Sequence, residues 1–278
     1  MNSLLKYFFV PNLLIFIEDC ADIASVRGCV SMCPNKISTK EKDLKLEAKF
    51  SEFLDMCLYR PLESVIHYDE NLGVEFTRIS DTGLQFEGVD IILKEGAAHT
   101  NIDEKSQLHN INKGIPTFAL ELSYINRSGV VDAGWLLNPH KITDAYLFCW
   151  PTAVIDEGNN DDVPRFVGAN VLLVHKQQLL QVLEDLGFTR SDLAQRDELL
   201  RKNNKDGPYR TNCNDVWFYF SKKYAEEPIN LIIRKTLLEK IAVVRLAVQY
   251  DAHSQTSQID GVWCFRDVHA RIPVMLPA

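Results

Sequence analysis

Gly88-Val89-Asp90-Ile91-Ile92-Leu93 and, shortly after it, Asn101-Ile102-Asp103-Glu104-Lys105 are the stretches that decide the fold of this chain. Each combines a short apolar run with isolated charges, and a glycine-containing turn separates them. This pattern predicts two strands, over residues 88–93 and 100–105, that lie next to each other in one sheet.

The charges on these two strands are expected to share a face of the sheet. Side chains at positions i and i+2 of a strand emerge on the same side, so Asp103 and Lys105 should point together and Glu104 should point away. When the two strands pair, Asp90 can join Asp103 and Lys105. Two carboxylates and one ammonium group would then meet at one place.

The composition is that of a globular protein. The chain has 278 residues, of which 46% are hydrophobic, and this is ample for a buried core. Because the chain shows no low-complexity tract or fixed-period repeat, a mixed α/β or α+β fold remains, and of the two we expect α/β. The formal net charge of −8 argues against a protein that coats nucleic acid non-specifically. It leaves a nuclease open, because the distribution of charge matters more than its sum.

Further helices and strands are predicted on both sides of the charged strands. Upstream lie a helix over 40–59 closed by Pro61 and two short strands, over 64–68 and 73–79. Downstream we expect a strand over 117–125, a short helix over 138–144, a strand over 145–150 ended by Pro151, helices over 176–186 and from Thr189 or Ser191 to about 202, a strand over 216–220 and a helix over 237–248.

The order of a helix, strands, an isolated acid and an acid-x-lysine triplet over Leu44–Trp150 resembles the PD-(D/E)XK nuclease superfamily. The resemblance implies a restriction-endonuclease-like mixed sheet flanked by helices, with a C-terminal helical extension. It also implies that Asp90 and Asp103 bind a divalent metal while Lys105 assists the attack of water. This chain has Val89 where the family often has proline.

The chemistry of the site is consistent with this resemblance. Carboxylate oxygens suit Mg²⁺, with Mn²⁺ as a substitute, and Mg²⁺ leaves coordination positions for water and phosphate. An acid-x-lysine triplet alone is unspecific, since Asp43-Leu44-Lys45 and Glu47-Ala48-Lys49 also satisfy it. The Asp103 triplet differs because a second apolar strand with an isolated acid precedes it.

Other residues are candidates for supporting roles. Glu121 on the next strand is a third catalytic candidate, and the resemblance offers Glu47 and Glu52 as matches for the helix acid of some superfamily members. Solvent exposure is the alternative for each of these three. Ser106 and Gln107 could steady water or phosphate. Basic residues near the C-terminus offer a surface for DNA: Arg201, Lys202, Lys205, Arg210, Lys222 and Lys223. A solvated surface is the alternative for these basic residues.

The sequence therefore predicts a Mg²⁺-dependent nuclease, an endonuclease acting on DNA. The alternative is a non-catalytic nucleic-acid-binding or assembly module that keeps the nuclease fold, and the acidic net charge is its best support. A homodimer would allow both strands of a duplex to be cut. The choice of DNA over RNA, any sequence specificity and the oligomeric state do not follow from these residues.

The predicted organisation has three parts. Residues 1–40 form an N-terminal extension that need not belong to the fold, residues 41–157 the nuclease core, and residues 158–278 an α-rich extension that packs on it.

The apolar run Leu4–Ile17 contains Pro11 and is shorter than the roughly 20 residues of a membrane-spanning helix. Seven scattered cysteines favour a reducing compartment over export, so we expect a cytoplasmic protein without a membrane anchor.

Overall fold

Two sheets and a layer of helices make up the described part of the chain. The computed structural model describes residues 40–66, 74–154, 164–222, 224–265 and 268–277. The predicted N-terminal extension, apart from Lys40, and the predicted boundary near residue 157 lie outside these ranges.

The helices and strands follow one another along the chain in this order: α1 (Lys40–Leu54), a π-helical turn (Asp55–Tyr59), α2 (Arg60–Ile66), β1 (Val74–Arg78), α3 (Thr82–Phe86), β2 (Ile91–Glu95), β3 (Ala98–Ser106), a 3₁₀ turn (Leu108–Asn110), β4 (Thr117–Ile125), β5 (Val131–Ala133), β6 (Ala145–Val154), β7 (Arg165–His175), α4 (Lys176–Asp185), α5 (Arg190–Asn203), β8 (Gly207–Tyr209), β9 (Val216–Phe220), β10 (Ile229–Arg234), α6 (Lys235–Ile241), β11 (Val244–Asp251), β12 (Thr256–Phe265) and β13 (Val268–Pro277).

The larger sheet has eight strands in the order β1-β2-β3-β6-β7-β11-β12-β13, and the smaller has five in the order β5-β4-β10-β9-β8. Strands β3 and β6 are parallel, and the other pairs of described strands are antiparallel. A parallel pair needs a crossover connection, which is usually a helix. Here the crossover contains β4 and β5, so the smaller sheet is tied to the middle of the larger one.

The larger sheet lies between two apolar layers. On one face, side chains of α1 such as Phe50 and Phe53 pack with Ile102 and Leu147. On the other face, Tyr146 and other side chains pack against the smaller sheet and against α4, α5 and α6. Successive residues of β6, Tyr146 and Leu147, therefore face different layers, as the alternation of a strand requires.

Several predicted elements are confirmed. The mixed α/β architecture is present, and β4 has the predicted bounds. Helix α4 begins at Lys176, and Gly187 follows it with a φ of +84°. Thr189 caps α5 in a reciprocal capping box with Asp192.

The predicted α-rich C-terminal extension is wrong. The described residues between 164 and 277 form seven strands and three helices, and the strands extend both sheets. The predicted helix over 237–248 shows why. Leu237, Leu238 and Ile241 follow helical spacing and form α6, whereas the alternating Val244, Leu246 and Val248 are the buried face of β11. The apolar residues of 237–248 follow a helical period first and a strand period afterwards, and the sequence pattern predicted one helix for both.

Proline and turn residues account for the other differences. Pro61 does not end the first helical region, because the chain continues into α2 with Pro61 in its first turn, where a missing N–H is tolerated. The predicted strand over 64–68 begins inside α2, and its remainder lies outside the described ranges. Residues 138–144 form turns instead of a helix, and β6 continues past Pro151.

No described helix is long and apolar enough to cross a membrane.

Candidate active site

Asp90 is held at the start of β2 by hydrogen bonds to both neighbouring strands. Its N–H donates to the Ile102 carbonyl at 2.9 Å, and its carbonyl accepts from Ile79 N–H at 2.8 Å. The chain reaches this position from α3 through Gly88, whose φ of +81° suits glycine. Asp90 directly precedes the strand and still lies in register with it.

Asp103 and Lys105 form a buried ion pair on β3. Lys105 Nζ donates to Asp103 Oδ1 at 2.6 Å, and the two side chains are 11% and 4% exposed, with Lys105 the larger value. Glu104 points to the opposite layer, where it contacts Tyr59 and Arg78. The predicted division of the triplet between the two faces is therefore confirmed.

Asp90 completes a group of three charges. Its Oδ2 accepts a hydrogen bond from Glu104 N–H at 2.8 Å, which fixes the carboxylate against β3. Burial and the nearby Asp103 carboxylate raise the pKa of Asp90 to about 6, and Lys105 acts against this rise. The structure brings together the three residues that the sequence predicted.

Lys105 stays protonated in this environment. Burial disfavours its charged form, but the carboxylates of Asp103 and Asp90 outweigh burial and raise the pKa of the ammonium group. Its Nζ also lies 5.2 Å from the centre of the Trp135 ring, within the range of a cation–π interaction. A permanent positive charge is thus held beside two carboxylates.

Glu121 on β4 lies near this group and is 2% exposed. Burial raises the pKa of Glu121 to about 8, while the charge of Lys105 lowers it and that of Glu226 raises it further. The carboxylate accepts a hydrogen bond from the backbone N–H of Trp135. Glu121 and Lys105 are therefore both in contact with Trp135.

Gly134 allows this close approach. A Cβ at Gly134 would lie 2.6 Å from Glu121 Cγ and 2.5 Å from the Glu121 carbonyl oxygen. The Gly134 N–H donates to the Leu122 carbonyl at 2.8 Å and Leu136 N–H donates to that of Glu121 at 3.2 Å. A side chain at residue 134 would push the loop, and Trp135 with it, away from β4.

Comparisons with known proteins identify no relative. No family model matches the chain, and neither a curated protein nor a solved structure matches it.

The donor set at the site fits a divalent cation. Asp103 Oδ2 is buried and has no hydrogen-bond partner among the described residues. The same holds for Glu121 Oε2. Over the described ranges, no cluster of three or more His, Cys, Asp and Glu side chains has the arrangement of a metal site. Mg²⁺ commonly uses one or two protein carboxylates and retains water, and Asp90 and Asp103 would supply two.

Sequence reasoning missed several residues around the site. Tyr146 is the neighbour of Asp103 on β6, and its buried hydroxyl has no hydrogen-bond partner in the described chain. Thr143 Oγ1 donates to the Gly88 carbonyl at 2.7 Å, and Lys141 Nζ donates to that of Phe86 at 2.6 Å. Tyr146 has the pattern of a core residue, and no local pattern marks the other two, because the fold alone brings residues 141–143 to the turn before Asp90.

The predicted helix acids do not reach this group. Glu47 and Glu52 belong to α1, which packs on the face of the sheet opposite Asp103 and Lys105. Glu52 is exposed and pairs with Lys49 at 2.8 Å.

On that opposite face, α1 and its π-helical turn meet a separate charged network. Arg78 Nη1 donates to Glu104 Oε2 at 2.8 Å, Arg78 Nε donates to Asp55 at 2.8 Å, and the Tyr59 hydroxyl donates to Glu104 at 2.5 Å. This network holds the Glu104 side chain on the face of the sheet that α1 covers.

Gln107, another supporting candidate, joins β3 to β4. Its Nε2 donates to the Thr117 carbonyl, and its Oε1 has no partner among the described residues. Ser106 is the last residue of β3 and is partly buried. Among the described residues, neither Ser106 nor Gln107 forms a hydrogen bond or ion pair with the three charges.

The predicted C-terminal basic surface is partly neutralised. Arg201 donates to Ser123 Oγ and lies 3.7 Å from Asp197, and Lys202 pairs with Glu198 at 2.7 Å. Arg210 lies over the Trp217 ring. Lys205 is exposed, Lys222 donates to the Asn204 carbonyl, and Lys223 is outside the described residues.

Proposed function

We propose that the protein is a Mg²⁺-dependent nuclease that hydrolyses DNA phosphodiester bonds at Asp90, Asp103 and Lys105. The observation that carries this proposal is the burial of the three charges together. An exposed cross-strand cluster would be an ordinary surface feature worth little stability. A buried cluster costs desolvation energy, which makes a chemical role the better explanation.

The architecture around the three charges supports the same proposal. Strands β1, β2, β3 and β6 are consecutive in the larger sheet, helix α1 covers one of its faces, and β6 runs parallel to β3. This arrangement agrees with a restriction-endonuclease-like core, which we propose for the part of the chain predicted as residues 41–157.

The roles of the residues follow from their positions. Asp90 and Asp103 would hold the metal ion, and the unpartnered Asp103 Oδ2 offers a ligand oxygen. When bound, the ion lowers the pKa of a water molecule and neutralises charge that grows on the phosphate. Lys105 places its ammonium group where it can orient the attacking water or stabilise the transition-state charge.

Glu121 has a supporting role in this proposal. Its raised pKa shows that its environment favours the protonated form in the absence of a cation. A positive charge added at the site favours the ionised form, so Glu121 can accept a proton or a hydrogen bond once the site is loaded. The Trp135 N–H holds the carboxylate in place for either task.

The decisive test is cleavage of plasmid, single-stranded DNA and RNA by wild-type protein and Lys105→Ala with Mg²⁺, Mn²⁺ or EDTA. We expect metal-dependent cleavage of DNA by the wild type and a loss of at least about 100-fold in Lys105→Ala, because general catalysis and charge stabilisation each contribute on this scale.

Lys94→Ala is the matched control. Lys94 lies on the adjacent strand β2 in an exposed pair with Glu75 at 3.3 Å, and its loss should leave the rate unchanged. Circular dichroism must show that both variants are folded. Equal rates for Lys105→Ala and the wild type would refute the assignment. A folded wild type that cuts nothing would instead favour a non-catalytic nucleic-acid-binding or assembly module.

A further inference from the structure

A polar groove adjoins the candidate active site. It has a volume of about 810 Å³ and runs from Thr143 and Asp144 along the first turns of α4, where Lys176, Gln178 and Gln181 line it. Thr143 is also the residue whose hydroxyl donates to the Gly88 carbonyl at 2.7 Å. The groove therefore begins at the turn that positions Asp90, and we call it the α4 groove.

Two lysines connect the α4 groove with the site. Lys176 Nζ donates to the Lys141 carbonyl at 3.0 Å, and Lys141 Nζ donates to the Phe86 carbonyl at 2.6 Å. A Cβ on Gly88 would lie 3.0 Å from Lys141 Cδ and 3.4 Å from Asp103 Oδ2. The aliphatic part of the Lys141 side chain and Asp103 Oδ2 thus both lie next to Gly88.

These two lysines are not paired with carboxylates of the described chain. Within the described chain, neither ammonium group forms an ion pair, and each donates to a backbone carbonyl. Asp144, the acid that lines the groove, uses its Oδ2 to accept from Asn101 N–H at 2.8 Å. By contrast, Lys202 on the predicted C-terminal surface pairs with Glu198.

The chemistry of the α4 groove suits a phosphodiester backbone. Ammonium groups contact phosphate oxygens, and the amides of Gln178 and Gln181 can donate to phosphate or sugar oxygens. The groove also borders the N-terminus of α4, which begins at Lys176. The partial positive charge of that helix end adds to the charge of the lysines.

We infer that the α4 groove holds the nucleic-acid strand whose phosphodiester bond is presented to Asp90, Asp103 and Lys105, with Lys176 and Lys141 contacting its phosphates. This inference rests on the proposed nuclease function. The main DNA-binding surface is then the α4 groove and not the C-terminal basic residues. The acidic net charge of the whole chain gives no indication of this groove.

The test is fluorescence anisotropy with labelled single-stranded and duplex DNA in EDTA, over a range of salt concentrations. Lys176→Gln removes one charge from the groove, and Gln178→Glu adds a repelling charge at an exposed position without disturbing the core. We expect each to weaken binding by about threefold to tenfold. For duplex DNA, Lys176→Gln should also reduce the slope of log affinity against log salt by about 0.9, the value for one lost phosphate contact.

Lys202→Gln is the matched control and should bind as the wild type does. Wild-type affinity and salt slope in both groove variants would overturn the inference, as would loss of binding in Lys202→Gln alone or no binding of either DNA by the wild type.

Cleavage assays separate this inference from the proposed function. If the wild type cuts DNA and the groove variants bind it normally, the groove assignment is wrong and the nuclease assignment stands. If the groove variants lose binding and the wild type cuts nothing with any metal, the groove assignment is supported and the catalytic one fails.

Discussion

Gly88 is the residue on which the geometry of the site depends most directly. Its φ of +81° is unfavourable for other residues, and a Cβ would lie 2.5 Å from Thr143 Oγ1. We expect Gly88→Ala to lower the free energy of unfolding by about 2 kcal/mol or more, because backbone strain and the contact with Thr143 add. Denaturant titration measures this loss.

Gly96→Ala provides the comparison for this prediction. Gly96 also has a positive φ, +57°, but nothing lies within 4 Å of its added Cβ. This variant should lose only the backbone part, about 1 kcal/mol. Equal losses in the two variants would show that the contact with Thr143 is not tight.

Glu121 should make stability depend on pH when no metal is present. Because its pKa in the folded protein, about 8, lies above the value of an unfolded chain, the protonated carboxyl contributes stability at low pH. That contribution declines as pH rises from about 4.5, the ordinary value, and is lost once pH passes about 8.

The variant Glu121→Gln removes this titration. In EDTA, its free energy of unfolding relative to the wild type should increase between pH 5 and pH 8.5, as measured by urea titration at each pH. A constant difference across this range would mean that Glu121 titrates near its ordinary value.

At the scale of single elements, Thr189 illustrates a local signal that the structure confirms. The sequence offered Thr189 and Ser191 as caps for α5, and the structure uses Thr189, whose hydroxyl accepts from Asp192 N–H at 3.1 Å. Thr189→Ala should destabilise the protein by about 1 kcal/mol, and Ser191→Ala by a few tenths. Thermal melts of both variants test this difference, and the reverse order would contradict the assigned cap.

The sequence predicted best where one local rule decided the outcome. The bounds of β4 follow from the alternation of residues in its sequence, and the two faces of the Asp103 triplet follow from strand periodicity alone. The burial of both faces of β4 does not follow from that alternation. The prediction failed for residues 237–248, where helical spacing changes to strand alternation at the boundary between α6 and β11. The sequence contained no signal for Lys141 or Trp135, because their proximity to Lys105 arises only when separate elements pack together.

For the whole molecule, the decisive feature is that the C-terminal strands complete the larger sheet. Strands β11 and β12 bury Val244, Leu246, Val248, Ile259 and Trp263 in the same core as α1. Deleting residues 242–278 would expose this core and the edge of β7.

We therefore expect the chain without residues 242–278 to be insoluble or unfolded, with no dispersed amide signals in its NMR spectrum. The full chain, purified in the same way, is the reference. A soluble, folded truncated protein would contradict the requirement for these C-terminal strands.

The crossover between β3 and β6 also sets an order for folding. β4 lies inside this crossover, yet it pairs with β10, which is made much later in the chain. Contacts between segments so distant in sequence form slowly, and a chain still on the ribosome cannot form the smaller sheet until Arg234 has emerged. Glu121 then lacks its strand partner. The proposed site would therefore stay incomplete, without Glu121 held in its sheet, for most of the synthesis of the chain.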